Sequence, residues 1–219
     1  MSKVVKFGGS SLASAEQFRK VGDIIRSDGE RRYVVPSAPG KRFDKDSKVT
    51  DMLYACYDCA EAGKDFKEAL GAIQARYREI VAGLALSVDL DREFDAIEKN
   101  FLAKAGRDYA ASRGEYLNGI IMAAYLEFEF VDAAEVILFD EDGSFKADET
   151  NRVLAERLGK CKYAVIPGFY GAKPSGEVKT FSRGGSDITG SIVAKAVLAD
   201  VYENWTDVSG FLIADPRII

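Results

Sequence analysis

Lys3-Val4-Val5-Lys6-Phe7-Gly8-Gly9-Ser10-Ser11 reads as a short buried strand that runs into a double glycine and two serines. Val4, Val5 and Phe7 supply the apolar run. Gly8 and Gly9 permit backbone angles closed to other residues, and Ser10 or Ser11 is placed to cap a following helix. A strand that turns on glycines into a helix presents free backbone N–H groups and the positive end of a helix dipole together, which makes an anion site. Lys6 stands at the strand end, where its ammonium joins them. The Walker pattern puts its lysine after the glycines and before Ser or Thr, whereas here the lysine comes first. A plain strand-to-helix connection has the same local pattern, so the rest of the chain decides between the two.

At 219 residues and 47% hydrophobic content the chain has enough apolar side chain to bury a sizeable core, as one large α/β domain or two small ones. The net charge of −5 argues against a general nucleic-acid binder, so any anionic ligand needs a local positive site. No apolar run approaches the roughly 20 residues of a membrane span, and the polar start lacks a signal-peptide core; the cytoplasm is the expected compartment. The composition contains no histidine. That removes Ser-His-Asp triads, Cys-His dyads, histidine bases and the usual zinc sites, leaving chemistry by Lys, Arg, carboxylates, backbone dipoles and a bound metal. Cys56 and Cys59 form a C-x-x-C inside a helical pattern, with no second pair to complete a metal site, and read as structural thiols in a reducing compartment.

Along the chain, Phe18, Val21, Ile24 and Ile25 recur at helical spacing before a stop at Ser27-Asp28-Gly29. A strand at Tyr33-Val34-Val35 ends at Pro36 and opens into Ser37-Ala38-Pro39-Gly40. Next comes a charged segment in which Lys41, Arg42, Lys45 and Lys48 oppose Asp44 and Asp46. Most such runs are solvated loops; beside a phosphate turn, the alternative is a mobile flap. Thr50 is the expected N-cap of a helical region reaching about Gly106. A further helix carries Ser112-Arg113-Gly114-Glu115, with Gly114 and Glu115 expected near its start. Val136 to Phe139 and Tyr163 to Ile166 read as strands flanking a helix from Asn151 to Leu158. Lys173-Pro174-Ser175-Gly176 is a hairpin tip before Val178 to Phe181. Ser182-Arg183-Gly184-Gly185-Ser186-Asp187 is a second glycine pair opening a helix, and Val201 to Trp205 is a last strand. In an α/β sheet both glycine turns lie at the carboxyl ends of strands, where their helix N-termini can converge on one polyanion.

Four segments together, Lys6-Phe7-Gly8-Gly9-Ser10-Ser11, Ser112-x-Gly114-Glu115, Thr180 to Asp187, and Trp205-Thr206-Asp207-Val208-x-Gly210-x-x-x-Ala214-Asp215-Pro216-Arg217, resemble the aspartate kinases of the amino-acid kinase superfamily. The resemblance implies a three-layer αβα sandwich with a mostly parallel central sheet. It also implies ATP with Mg2+ as phosphoryl donor and L-aspartate as acceptor, giving 4-phospho-L-aspartate for lysine, threonine and methionine synthesis. It assigns Lys6 and Asp187 to catalysis. Ser37, Thr50, Glu115, Arg183 and Ser186 go to the acceptor, with Glu115 facing the α-ammonium and Arg183 the α-carboxylate. Lys6, Gly8, Gly9, Ser10, Thr206, Asp207 and Arg217 go to the nucleotide. No protein side chain is assigned as a metal ligand. The partners implied are L-aspartate and Mg-ATP, with neither nucleic acid nor membrane, and a homo-oligomer is left open.

The chemistry agrees with the residue types. A carboxylate nucleophile with a free pKa near ~3.9 is ionised at neutral pH and needs no general base, so a chain without histidine suffices. The obstacle is its repulsion from the triphosphate, which positioning and charge neutralisation overcome. Three departures from the family stand out. Leu212 occupies a position where many members have a tyrosine near the nucleotide. The Lys41 to Lys48 segment is longer than the expected link. Family chains also continue past Asp-Pro-Arg-Ile into more of the kinase domain and then ACT regulatory domains, so residues 1–219 are expected to be an incomplete kinase catalytic domain. The alternatives are a superfamily kinase acting on glutamate, acetylglutamate or a nucleoside monophosphate, and a nucleotide-binding fragment without turnover.

Overall fold

The structure is a computed structural model in which residues 1–182 and 184–206 are described. Its central sheet holds β1 (Lys3–Phe7), β2 (Arg31–Pro36), β3 (Glu129–Phe130), β4 (Ala164–Val165) and β7 (Val201–Trp205). The spatial order is β3-β4-β2-β1-β7, with every pairing parallel. Between β4 and β7 in sequence, β5 (Tyr170–Ala172) and β6 (Val178–Thr180) form a separate antiparallel hairpin.

Side-chain alternation makes three layers of this sheet. Val5, Phe7, Val34 and Val165 face one core with α1 (Ala15–Arg26), α2 (Val49–Glu61), α3 (Lys67–Gly83), α4 (Asp91–Leu102) and α5 (Arg107–Leu126). Their neighbours Val4, Tyr33, Val35, Ala164 and Ile166 face a second core with α6 (Ala133–Val136), α7 (Ala147–Leu158), α8 (Gly185–Ala196) and the hairpin. Both faces being covered explains why the strands read as continuous apolar runs. The fold is thus the expected α/β sandwich, and no helix among the described residues is long and apolar enough to cross a membrane.

Register places the loops that matter. Phe7 lies opposite both Pro36 and Trp205, so Gly8, Ser37 and Thr206 leave three adjacent strands side by side. Backbone bonds hold the exits together: the Gly8 amide donates to the Trp205 carbonyl (3.2 Å), Ser37 to Phe7 (3.1 Å) and Gly168 to Pro36 (3.1 Å).

Four local expectations are corrected. The Gly8-Gly9 turn opens a one-turn 3-10 segment, Gly9–Leu12, and α1 begins later, capped by Ser14 rather than Ser10 or Ser11; the Ser14 hydroxyl accepts from the Gln17 amide. Helix α2 starts at Val49 with Lys48 as its N-cap, and Thr50 already lies in the first turn. Gly114 and Glu115 sit well inside α5, where the missing side chain serves packing: a Cβ on Gly114 would lie 2.8 Å from Ala38 Cβ. Val136 ends α6, and the residues after it make only isolated bridges, Leu138 to Ala172 and Phe139 to Phe145. An apolar run alone does not distinguish strand from helix, and the hairpin supplies the partner that settles it.

Candidate functional site

The carboxyl ends of β2, β1 and β7 open into two adjoining chambers. The first, about 440 Å³, is walled by the Gly8-Gly9-Ser10 turn, the Ser37 to Lys41 loop, Lys48, Thr50, Glu115 and Thr206. The second, about 360 Å³, is walled by Lys6, Ser37, Lys48, Thr50, Asp51, Glu115, Phe169, Ser182 and the start of α8 from Gly184 to Asp187. Ser37, Lys48, Thr50 and Glu115 border both, so the chambers form one bipartite cleft. Such a crevice beyond the strand ends is where α/β sheets bind ligands.

Lys6 is 7% exposed and ion-pairs with Asp187, Nζ to Oδ1 2.7 Å, which ties the first glycine turn to the second. Around the first turn the backbone packs too closely for side chains. A Cβ on Gly9 would lie 2.7 Å from the Ala38 carbonyl oxygen, and one on Gly40 would lie 2.6 Å from Gly9 C. The Gly40 amide donates to the Gly9 carbonyl (2.8 Å) and Ser11 to Gly8 (3.1 Å). With the Gly8 amide taken by Trp205, the Gly9 and Ser10 amides have no backbone acceptor among the described residues. These amides and the cations Lys6 and Lys48 make a donor set suited to phosphate oxygens.

The second turn has Gly184 as N-cap of α8 at φ 71°, a conformation that favours glycine. Ahead of it Phe169 adopts φ 82°, at a cost of ~1–3 kcal/mol for a residue with a side chain. Two bonds hold it there: its amide donates to Thr189 Oγ1 (3.0 Å), and its carbonyl accepts from the Phe181 amide (2.8 Å). Gly168 permits the approach of Ser186, whose Oγ would lie 2.6 Å from a Cβ at that position.

Glu115 projects from α5 to the wall shared by the chambers, 6% exposed, and among the described residues its Oε2 has no hydrogen-bond partner. Burial pushes its carboxyl up to about 8, against the opposing pull of the Ala38 amide, its own amide and Arg113. A buried, half-satisfied carboxyl calls for a cationic partner, and none is paired with it among the described residues. The neighbouring Arg113 is not that partner: its guanidinium lies over the rings of Tyr116 (4.3 Å), Tyr109 (4.8 Å) and Tyr170 (5.4 Å). One turn on, buried Asn118 donates Nδ2 to the Ser37 carbonyl (2.6 Å) and so fixes that loop.

Ten of the sequence-predicted site residues therefore border the bipartite cleft: Lys6, Gly8, Gly9, Ser10, Ser37, Thr50, Glu115, Ser186, Asp187 and Thr206. Arg183, Asp207 and Arg217 lie outside the described residues, as does Leu212. Lys48, Asp51, Phe169 and Asn118 were not anticipated. Only Lys48 had a local signal, as the last cation of the segment before a helix. That segment is no free flap, since Arg42 and the buried Arg76 of α3 hold it through Asp46. Cys56 is buried and Cys59 half-buried on α2, and burial pushes the Cys56 thiol up to about 11, away from thiolate chemistry.

Comparison with known proteins agrees with this fold. The chain is 38% identical to Aspartokinase 3 of Bacillus subtilis over 99% of its own length and 51% of that protein. It is 29% identical to the lysine-sensitive aspartokinase 3 of Escherichia coli, over all of the chain and 52% of that protein. The chain thus spans about half the length of these relatives. Among solved structures, the Clostridium acetobutylicum aspartate kinase superposes with a TM-score of 0.93 at 55% identity, covering 99% of this chain and 50% of that one. Escherichia coli aspartokinase III in complex with aspartate and ADP superposes with a TM-score of 0.83 at 27% identity, covering 100% and 52%. The model of the amino acid kinase family matches residues 1–219, and the chain belongs to that family.

Proposed function

We propose that this chain carries the catalytic centre of an aspartate kinase, transferring the terminal phosphoryl group of ATP to the side-chain carboxylate of L-aspartate. The carrying observation is the Lys6–Asp187 ion pair beside the buried, half-satisfied Glu115 at the meeting of two chambers. The glycine-turn chamber suits phosphates, and the Glu115 wall suits the ammonium of an amino acid. The relatives, aspartate kinases by name, support the same reading, as does the pairing of aspartate with ADP in the Escherichia coli structure.

Lys6 stabilises the charge spread over the transferring phosphoryl group, and Asp187 holds its ammonium in place. Gly8, Gly9 and Ser10 bind phosphates, and Thr206, with Asp207 and Arg217, takes the nucleoside side. Ser37, Thr50 and Ser186 shape the acceptor chamber. Glu115 ionises to receive the α-ammonium, and Arg183 takes the α-carboxylate through its planar fork. The side-chain carboxylate, ionised without a general base, forms the new O–P bond to the γ-phosphorus. The bond from that phosphorus to the β–γ bridging oxygen breaks, and ADP leaves with the electron pair. Magnesium, bound with the nucleotide, supplies neutralisation of the phosphate oxygens. Among the described residues no group of three or more metal-ligating side chains converges.

We assign residues 1–219 to the catalytic region of a kinase acting in the cytoplasm at the entry to lysine, threonine and methionine synthesis. ADP release measured with L-aspartate, L-glutamate, N-acetylglutamate and nucleoside monophosphates tests the reading. Release that depends on L-aspartate alone supports it. Dependence on any other acceptor replaces aspartate, and a nucleotide acceptor would contradict the role given to Glu115.

A further inference from the structure

One side chain holds both ends of the charged segment that leads into α2. Arg76 is 5% exposed; its Nη2 donates to the Gly40 carbonyl (2.8 Å) and its Nη1 to the Ser47 carbonyl (2.6 Å). Nη1 also lies 3.4 Å from Asp46 Oδ2. Asp46 accepts from the Arg42 amide and Arg42 Nε, both at 2.9 Å, and this pairing holds its carboxyl well below the usual range. The segment is rooted on the phosphate turn through Gly40 to Gly9, and it closes where the Val49 amide donates to the Pro39 carbonyl (3.1 Å). A stretch whose composition suggests a mobile loop is thus fixed at its start, middle and end.

Its cations divide sharply. Arg42 is paired with Asp46 and Glu79. Lys41 donates to the Asp44 carbonyl (3.3 Å). Lys45 is exposed and borders neither chamber. Lys48 borders both, and among the described residues it has no ion pair or side-chain hydrogen bond. Of the other groups bordering the second chamber, Lys6 is already offset by Asp187, while Asp51 and Glu115 are acidic. Among the described residues, a cleft that brings two anions together therefore has one cation without an ion pair at the junction of its chambers.

We propose that Lys48 is a second cation of the transfer site, binding the anionic groups that meet where the chambers join, and that Arg76 is the positioning residue that holds it there. The proposal rests on the phosphoryl-transfer reading and deepens it. Lys48 transfers no proton and forms no covalent bond; its ammonium lowers the repulsion between the attacking carboxylate and the terminal phosphate.

The test compares Lys48→Gln with Lys45→Gln, the same charge lost from the same loop away from the cleft. Mg-ATP affinity is measured by calorimetry without acceptor, and turnover is measured with L-aspartate. Lys48→Gln is expected to weaken Mg-ATP binding about tenfold and to lower kcat/KM for aspartate by about 10- to 100-fold. Lys45→Gln should match the wild type in both, and neither variant should change Tm. Equal nucleotide affinities in Lys48→Gln and the wild type, or a loss that Lys45→Gln reproduces, overturns the proposal. Nucleotide binding by a wild-type protein that phosphorylates no acceptor would remove the aspartate kinase reading, while the affinity comparison still decides the role of Lys48.

Discussion

Lys6 in β1 and Asp187 in the first turn of α8 form a 2.7 Å ion pair, with the lysine side chain nearly buried and the aspartate half exposed. The pair crosses the floor of the cleft and joins two glycine turns that are far apart in the chain. Lys6→Met should lower kcat by about 10²- to 10³-fold, the range for loss of one preorganised charge-stabilising donor. Asp187→Asn should lower kcat less, by freeing the ammonium rather than removing it. Steady-state kinetics with both variants check this; a Lys6→Met enzyme with wild-type kcat would exclude Lys6 from the chemistry.

Glu115 supplies a pH prediction with a definite sign. In the unfolded chain it ionises at its ordinary 4.5, but in the folded protein only near 8, because burial disfavours the charge. Between those values the unfolded state binds fewer protons. The group's contribution to stability therefore falls by up to about 1.4 kcal/mol per pH unit as pH rises through that window, and it is level on either side. Glu115→Gln should accordingly gain Tm over the wild type as pH goes from 5 to 8. Because the ionised form receives the α-ammonium, the wild-type KM for aspartate should fall as pH approaches 8, and Glu115→Gln should have a higher, flatter KM. Calorimetry and kinetics across pH 5 to 9 decide it, and a Tm difference that ignores pH contradicts the account.

Arg76→Met should unlock the segment from Gly40 to Ser47. It strands the Gly40 and Ser47 carbonyls, while Asp46 keeps its bonds to Arg42, so a loss on the order of 1–3 kcal/mol is expected. Limited trypsin digestion should then cut at Lys41 or Lys45 faster than in the wild type. Unchanged digestion would mean that the clamp is not what orders the loop.

Gly40→Ala places a methyl 2.6 Å from the backbone of Gly9, a neighbour that cannot rotate away. The phosphate turn must shift, and nucleotide affinity should drop at least tenfold while far-UV circular dichroism stays native. Gly176→Ala is the contrast: it lies at a hairpin tip with φ 85° and nothing within 4 Å, so it should cost stability through backbone strain and leave nucleotide affinity intact.

The elements that organise the cleft were legible because their signals are local. β1 with its double glycine, the hairpin tip at Lys173 to Gly176, and α8 opening on Gly184-Gly185 each combine an apolar pattern with residues of special backbone freedom. The misread features depend on partners distant in sequence. Ser10 and Ser11 compete with Ser14 for the cap, and the 3-10 turn pinned by Gly40 decides for Ser14. The residues after Val136 follow a short helix and bridge to a hairpin that periodicity does not reveal. Glu115 looked like a first-turn carboxylate because Gly114 suggested a break; the glycine instead lets α5 approach Ala38. Arg76 and Asn118 hold the cleft loops largely through long-range bonds to backbone carbonyls, which leave no trace in local pattern.

The central claim is that the acceptor is a free amino acid whose side-chain carboxylate becomes an acyl phosphate. Trapping with hydroxylamine in the presence of Mg-ATP measures that product directly, with L-aspartate, L-glutamate and N-acetylglutamate compared side by side. The account predicts hydroxamate with L-aspartate and none with the other two. Hydroxamate from another acceptor, or from none of the three, contradicts it.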